Sequence, residues 1–167
     1  MQLPLTGGCI CGAIRYTVAR TPIEVYACHC TDCQRITSSA FSMGIVVADE
    51  AFAVTGKSAI TVPGGVTEGG RVKSRWVCPD CGTWLFGNPR PGTQHPGINR
   101  VVRGGTLDNT SWLTPTAHYW TQQAAMGRFA RRRYSFCDTA GQWVSTIWGR
   151  DASDTVTRNH RHVPPRR

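Results

Sequence analysis

The chain has 167 residues, 40% of them hydrophobic, and is long enough for one domain with a buried core. No segment approaches the roughly 20 consecutive apolar residues of a membrane helix, and the first six residues lack the basic run and apolar core of a secretory signal. We therefore expect a cytoplasmic protein, in which the eight cysteines are more often metal ligands or free thiols than disulfides.

The formal charge of +9 is unevenly spread along the chain. Residues 1–127 carry ten basic and seven acidic side chains, a net of +3, whereas residues 128–167 carry nine arginines and three aspartates, a net of +6. We predict a zinc-binding domain at 1–127 and a basic C-terminal extension at 128–167 that is partly disordered. Such an extension is typical of a solvated tail, and binding of nucleic acid through it is the less favoured alternative.

Short apolar stretches separated by turns predict a mainly β fold. The chain contains 18 glycines and 10 prolines, which favour many short elements over long helices. Alternation of apolar and polar residues marks the strands. They are expected at 12–18, 23–27, 41–47, 52–54, 59–62, 72–77, 83–86 and 99–103.

One or two short helices complete the predicted elements. The first is expected at 31–38, with Thr31 as its cap and Asp32 in a first turn that favours negative charge. The second is expected at 121–132, where good helix formers cluster around Gly127. Segment 88–97 contains three prolines and two glycines and is predicted to be a loop.

Seven cysteines fall into three groups with the spacing of metal ligands. The groups are C-x-C, C-x-C-x-x-C and C-x-x-C, formed by Cys9 and Cys11, by Cys28, Cys30 and Cys33, and by Cys78 and Cys81. A C-x-x-C turn directs two thiolates at one tetrahedral ion, and the glycines after Cys11 and Cys81 permit the required backbone turn. Cys137 is isolated and is expected to be a small buried hydrophobe.

Seven ligands cannot form two complete sets of four. The compact triple Cys28, Cys30 and Cys33 suits a three-ligand site with a position left for water or substrate, and the other four suit a closed structural site. His29 lies between two of the ligands. It is a fourth ligand, a proton carrier or a packed neighbour, and the last role is favoured.

The cysteine segments resemble the glutathione-dependent formaldehyde-activating enzyme family, which also includes centromere protein V. The resemblance lies in residues 8–12 (G-C-I-C-G), 28–35 (C-H-C-T-D-C-Q-R) and 78–83 (C-P-D-C-G-T). Weaker matches are 104–108 (G-G-T-L-D), Pro115 and His118, so that the resemblance covers roughly residues 5–125.

The resemblance implies a small β-tent fold of antiparallel strands holding two Zn²⁺ ions. It implies a structural zinc at Cys9, Cys11, Cys78 and Cys81 and a catalytic zinc at Cys28, Cys30 and Cys33. It also implies a carbon–sulfur lyase that adds glutathione, as co-substrate, to a small carbonyl compound such as formaldehyde. The alternative function is a non-catalytic, zinc-stabilised module that binds nucleic acid or a protein partner.

Other side chains are candidate functional residues on the basis of their residue type alone. His29, His95 and His118 are candidate acids or bases, with His29 the one placed at the catalytic site. Arg35 is a candidate for binding a carboxylate of the substrate, and Ser38 and Ser39 are candidate hydrogen-bond donors. Trp76 and Trp84 flank the last cysteine pair and are expected to pack in the core rather than against substrate.

Overall fold

A computed structural model describes residues 1–66, 72–87, 90–91, 97–125, 134–137 and 143–146. Its strands, in chain order, are β1 (Leu5–Gly8), β2 (Ile14–Val18), β3 (Glu24–Cys28), β4 (Ser42–Ala48), β5 (Phe52–Gly56), β6 (Ile60–Val66), β7 (Val72–Val77), β8 (Trp84–Gly87), β9 (Arg90–Pro91), β10 (Ile98–Arg103), β11 (Ala117–Tyr119), β12 (Tyr134–Cys137) and β13 (Trp143–Thr146). The mainly β class is therefore confirmed.

The described strands form two sheets. A small antiparallel sheet has the order β1-β2-β5, and a large sheet has the order β13-β12-β11-β3-β4-β10-β8-β7-β6, with β9 paired to β10. Most neighbours are antiparallel, but β11 runs parallel to both β3 and β12. The expectation of antiparallel strands throughout was wrong at β11, because the chain crosses from β10 to the far side of β3 before it pairs.

The hydrophobic core lies between the two sheets. Ile14, Tyr16 and Val18 alternate with exposed residues along β2, so that one face of the small sheet is apolar. The Tyr16 ring packs on Phe52, with centroids 5.4 Å apart, and Phe52 packs edge-on against Phe86 of the large sheet at 5.0 Å. These ring contacts join the two sheets.

The opposite face of the large sheet carries a different set of residues. Tyr26 pairs with Gly44 across β3 and β4, and Cys28 pairs with Ser42. The Tyr26 ring lies over Gly44 so closely that a Cβ atom there would be 2.4 Å from Tyr26 Cζ. Tyr119 meets the Tyr26 ring edge-on and donates a hydrogen bond to Glu24. This face of the sheet leads directly to the second cysteine group.

The helix α1 (Thr31–Thr37) follows β3 almost at once. The expected cap at Thr31 was wrong by one residue, because Cys30 is the N-cap and its Sγ accepts a hydrogen bond from the Cys33 N–H at 3.4 Å. Ser38 ends the helix in a left-handed conformation at φ 51°. None of the helices in the described part of the chain has the length and hydropathy to cross a bilayer.

The expected second helix at 121–132 was wrong where the structure describes it. Residues Thr121–Gln123 form one 3₁₀ turn, and Ala124 returns to an extended conformation. Trp120 precedes the turn in a left-handed conformation and supplies no side-chain cap, so that helix propensity alone does not extend the turn. Residues 126–132 of this prediction lie outside the described residues.

All the expected strands have counterparts, with shifted boundaries. The largest change is in β6, which continues four residues beyond the predicted strand 59–62, through Pro63 and Gly64, by means of a register shift. Within segment 88–97 the structure describes Arg90–Pro91, which form a short strand rather than the expected loop, and Gly97. Beyond residue 127, β12 and β13 join the large sheet next to β11, and the domain boundary stays a prediction.

Replacing Gly44 by alanine tests the close approach of the Tyr26 ring. We expect Gly44→Ala to lower the free energy of unfolding by about 1–3 kcal/mol, because the ring must move to admit the methyl group. Gly105→Ala is the matched control, since a Cβ there meets no atom within 4 Å. Urea denaturation of both variants measures the difference, and equal stability of the two would contradict the packing described.

Candidate metal and active site

The first thiol cluster joins two loops that are far apart in sequence. Cys9 and Cys11 lie in the β1–β2 loop, and Cys78 and Cys81 lie in the β7–β8 loop. In each loop the first cysteine of the pair accepts a hydrogen bond through its carbonyl, from Gly12 N–H at 3.0 Å and from Gly82 N–H at 2.9 Å. The two glycines have φ values of 77° and 71°. Glycine is therefore needed at both turns, as the sequence predicted.

The four sulfur atoms have the spacing that one tetrahedral ion needs. All lie within 4.8 Å of one another, with Cys9 and Cys11 3.4 Å apart and Cys11 and Cys78 3.7 Å apart. A tetrahedron with Zn–S bonds near 2.3 Å has sulfur atoms about 3.8 Å apart. Four soft thiolates suit zinc better than a hard cation such as Mg²⁺. The residues therefore fit the predicted closed site.

Electrostatics in this first cluster favour a thiolate at Cys81, whereas hydrogen bonds with the neighbouring thiols raise the pKa of Cys11 to about 12. Hydrogen bonds from the Thr83 hydroxyl and N–H lower the pKa of Cys81 to about 6. Thr83 Oγ1 also accepts the Ile10 N–H, which links the two loops. The ammonium of Lys57 lies 2.7 Å from Asp80 and anchors the second loop to the chain after β5. Thiolates are the form that binds metal.

The second thiol cluster comes from one short segment. Cys28 ends β3, Cys30 caps α1, and Cys33 lies in the first turn of the helix. The three sulfur atoms lie within 4.8 Å of one another, and Cys28 and Cys30 are 3.5 Å apart. Cys28 is buried, whereas Cys30 and Cys33 are partly exposed. The cluster is therefore accessible from the side of the helix.

Negative charge in this cluster concentrates on Cys30. Hydrogen bonds from the Cys28 and Cys33 thiols lower the pKa of Cys30, and the ammonium of Lys73 lowers it further. The same hydrogen bond to Cys30 raises the pKa of Cys28, together with its burial. Cys30 is therefore the first thiolate to form in the absence of an ion.

Polar contacts hold the loop that carries the three thiols. Gln34 donates to the His29 and Gln123 carbonyls at 2.6 and 2.7 Å, and the Gln123 side chain accepts the Thr31 N–H at 2.9 Å. The His29 N–H donates to the Tyr119 carbonyl at 2.9 Å. The segment from β11 to the following 3₁₀ turn therefore fixes both ends of this loop.

His29 forms a buried pair with His118 next to the second cluster. The imidazole rings are stacked with centroids 5.3 Å apart, and His29 Nε2 is 3.0 Å from His118 Nδ1. The ring of His29 is not among the ligand atoms grouped with the three thiols. Burial lowers the pKa of His29 to about 4 and also lowers that of His118. Both rings are neutral near pH 7.

The other side chains singled out from the sequence have varied positions. Arg35 is exposed on α1, and Ser38 and Ser39 are exposed after it. Trp76 stacks on Phe86 in the core, as expected. Trp84 instead carries the guanidinium of Arg103 on its ring, 4.4 Å from the centroid. His95 lies outside the described residues, as does the side chain of Cys137.

Sequence reasoning missed three residues near the second cluster, namely Lys73, Arg103 and Gln123. Lys73 lies in β7 and reaches Asp32 of α1 at 3.2 Å, and Arg103 ends β10. Each comes from a segment at least 40 residues beyond Cys33 in the chain. Nothing in the local sequence signals these contacts, since only the strand order brings the segments together.

The two sulfur clusters, one of four thiols and one of three, define a protein that could hold soft metal ions. The chain belongs to the glutathione-dependent formaldehyde-activating enzyme family, whose sequence model matches residues 4–123. Membership indicates glutathione-dependent formaldehyde activation, a reaction between a thiol and a carbonyl compound.

Comparison with individual proteins adds little to the family match. A solved protein of Rhodobacter sphaeroides, a Northeast Structural Genomics target, is similar to this chain at 16% identity. The alignment covers 62% of this chain and 88% of that one, with a TM-score of 0.45. No curated protein matches the chain.

Substitution of His118 tests the buried imidazole pair. We expect His118→Leu to lower the free energy of unfolding by about 1–3 kcal/mol, because it removes the bond to His29 in a buried setting. His118→Gln should lower the free energy of unfolding by less, since the glutamine amide can still form a hydrogen bond with the His29 ring. Chemical denaturation at pH 7.5 gives both values. A leucine variant as stable as the wild type would show that the pair does not support the fold.

Proposed function

We propose that this chain is a zinc-dependent carbon–sulfur lyase that adds a glutathione-like thiol to a small carbonyl compound such as formaldehyde, and catalyses the reverse release. The observation that carries the proposal is the cluster of three thiols, Cys28, Cys30 and Cys33, in a chain that also has a complete cluster of four. A set of three protein ligands is typical of catalytic zinc sites, and a set of four is typical of structural ones. Family membership supports the same reaction class.

The two clusters are proposed to hold one zinc each, with separate roles. Cys9 and Cys78 belong to the hydrophobic core cluster, so the four-thiol site is proposed to stabilise the fold. An ion at the three-thiol site would supply an additional position where a substrate thiol binds as thiolate at neutral pH. A reducing compartment such as the cytoplasm keeps all seven cysteines as free thiols, which can then bind metal.

The proposed reaction needs a thiol and a carbonyl compound held side by side. The sulfur attacks the carbonyl carbon, a carbon–sulfur bond forms, and the π electrons of the carbonyl move to its oxygen. The proton lost by the thiol is gained by that oxygen, so the addition is balanced without any oxidant. Placing the two reactants together makes the step effectively unimolecular.

The chain determines from which side the reactants approach. Cys28 is buried at the end of β3, while Cys30 and Cys33 are partly exposed on the helix side. Substrate is therefore expected to approach from the side of α1, where Cys30 and Cys33 are partly exposed. The hydrogen bonds from Gln34 to the carbonyls of His29 and Gln123 fix the loop. A fixed loop keeps the three sulfur atoms in place during the reaction.

Two matched serine variants test the division into structural and catalytic sites. The wild-type protein, purified under reducing conditions, should contain two zinc ions per chain by elemental analysis. Cys30→Ser should lose one ion and the activity while it keeps a cooperative unfolding transition. Cys9→Ser should lower the melting temperature by more than about 5 °C, equivalent to roughly 2 kcal/mol, because it breaks the set of four. Equal destabilisation of both variants would refute the division.

The reaction itself is tested with glutathione and formaldehyde. Zinc-loaded protein should raise the rate of S-hydroxymethylglutathione formation above the uncatalysed rate, as measured by NMR exchange between free and bound formaldehyde. Cys30→Ser is the control and should give the uncatalysed rate. If the wild type gives only that rate with any of a panel of thiols and aldehydes, the catalytic proposal fails and the non-catalytic binding module becomes the better hypothesis.

A further inference from the structure

Arg103 and Cys28 lie on the same face of the large sheet. Directly paired residues share a face, and so do residues two apart on one strand. Gly44 pairs with Tyr26 on one side and with Arg103 on the other. Cys28 and Ser42, two residues further along β3 and two residues back along β4, form the next pair. Arg103 therefore lies on the sheet face that leads to the three-thiol cluster.

The Arg103 guanidinium is held in place by neutral groups. It donates a hydrogen bond to the Met43 carbonyl at 2.8 Å and lies 4.4 Å from the centroid of the Trp84 ring. Neither contact cancels its charge. In the part of the chain that the structure describes, no carboxylate forms an ion pair with Arg103. This contrasts with Arg100 on the opposite face of the same strand, which is paired with Asp49 at 2.7 Å.

Charge complementarity links Arg103 to the thiol cluster. On their shared face, Arg103 is level with Gly44 and Tyr26, one residue pair along from Cys28 and Ser42. Lys73 of β7 also reaches the helix that carries Cys33, but its ammonium is already paired with Asp32 at 3.2 Å. Each thiolate in the cluster repels an anionic ligand, so an anion approaching the site needs a compensating cation. Arg103 is the better placed of the two because, among the described residues, no carboxylate pairs with it.

We propose that Arg103 is a specificity-determining residue that binds a carboxylate of the thiol substrate and so selects anionic thiols over neutral ones. The proposal rests on the function proposed above and adds to it the chemical class of thiol. A guanidinium has five N–H donors, so it can keep its bond to Met43 and present a pair of donors to a carboxylate. This role was expected of Arg35, which is exposed on α1.

Two thiols of equal length test the proposal on the zinc-loaded full chain. The probes are 3-mercaptopropionate and its neutral amide, 3-mercaptopropionamide, and dissociation constants come from calorimetric titration. The wild type should bind the carboxylate about tenfold more tightly than the amide, as expected of a charge-assisted hydrogen bond. Arg103→Met should reduce this ratio to about one and leave the affinity for the amide unchanged. Lys73→Met should have a smaller effect, since Asp32 already pairs with Lys73.

Arg100→Met is the matched control, because it removes the same charge from the other face of β10. It should retain the tenfold ratio. Zinc content and melting temperature are measured for each variant, and Arg103→Gln provides a second test if the methionine variant folds poorly. A ratio that survives both Arg103 substitutions overturns this inference and leaves the proposed function intact. If the zinc-loaded wild type binds neither thiol, the proposed function fails and the inference fails with it.

Discussion

The fold depends on bringing four sulfur atoms from two distant loops to one point. Cys11 and Cys78 are separated by 67 residues, yet their sulfur atoms lie 3.7 Å apart. Closing so long a loop restricts the unfolded chain, and a metal bound there stabilises the closed form further. Because one loop belongs to the small sheet and the other to the large sheet, the same cluster adds a second link between the sheets to the ring contacts of the core. Cys9 and Cys78 are themselves part of that core.

The two faces of the large sheet carry different kinds of residue. One face packs Ile45, Val47 and Phe86 against the small sheet, and the other carries Tyr26, Cys28 and Arg103. β4 lies between β3 and β10, and Gly44 at its centre leaves room for the Tyr26 ring. Cys28 and Arg103 therefore lie on strands of the sheet that packs in the core, whereas Cys30 caps the helix and Cys33 lies in its first turn.

The sequence predicted the local features of the structure well. The spacing of the cysteines predicted both clusters, since ligands that are close along the chain need only a short turn to bind one ion. The strands with clear alternation were found, whereas the three-residue β11 offered no pattern to detect. The pairing of His29 with His118 and the position of Arg103 depend on strand order, which a single sequence does not specify. Cys30 caps α1 in place of Thr31 because its thiol accepts a backbone hydrogen bond, a role for which threonine is the more usual residue.

The helix α1 has no fully buried residue, although it carries a thiol of the second cluster. Its position depends on polar bonds made by Gln34 and Gln123 rather than on hydrophobic packing. Such a segment opens locally at a free energy well below that of global unfolding. An ion held by the three-thiol cluster would therefore be released by local opening of this segment, without the sheets coming apart. An ion held by the four-thiol cluster would be released only when the two loops, and with them the two sheets, separate.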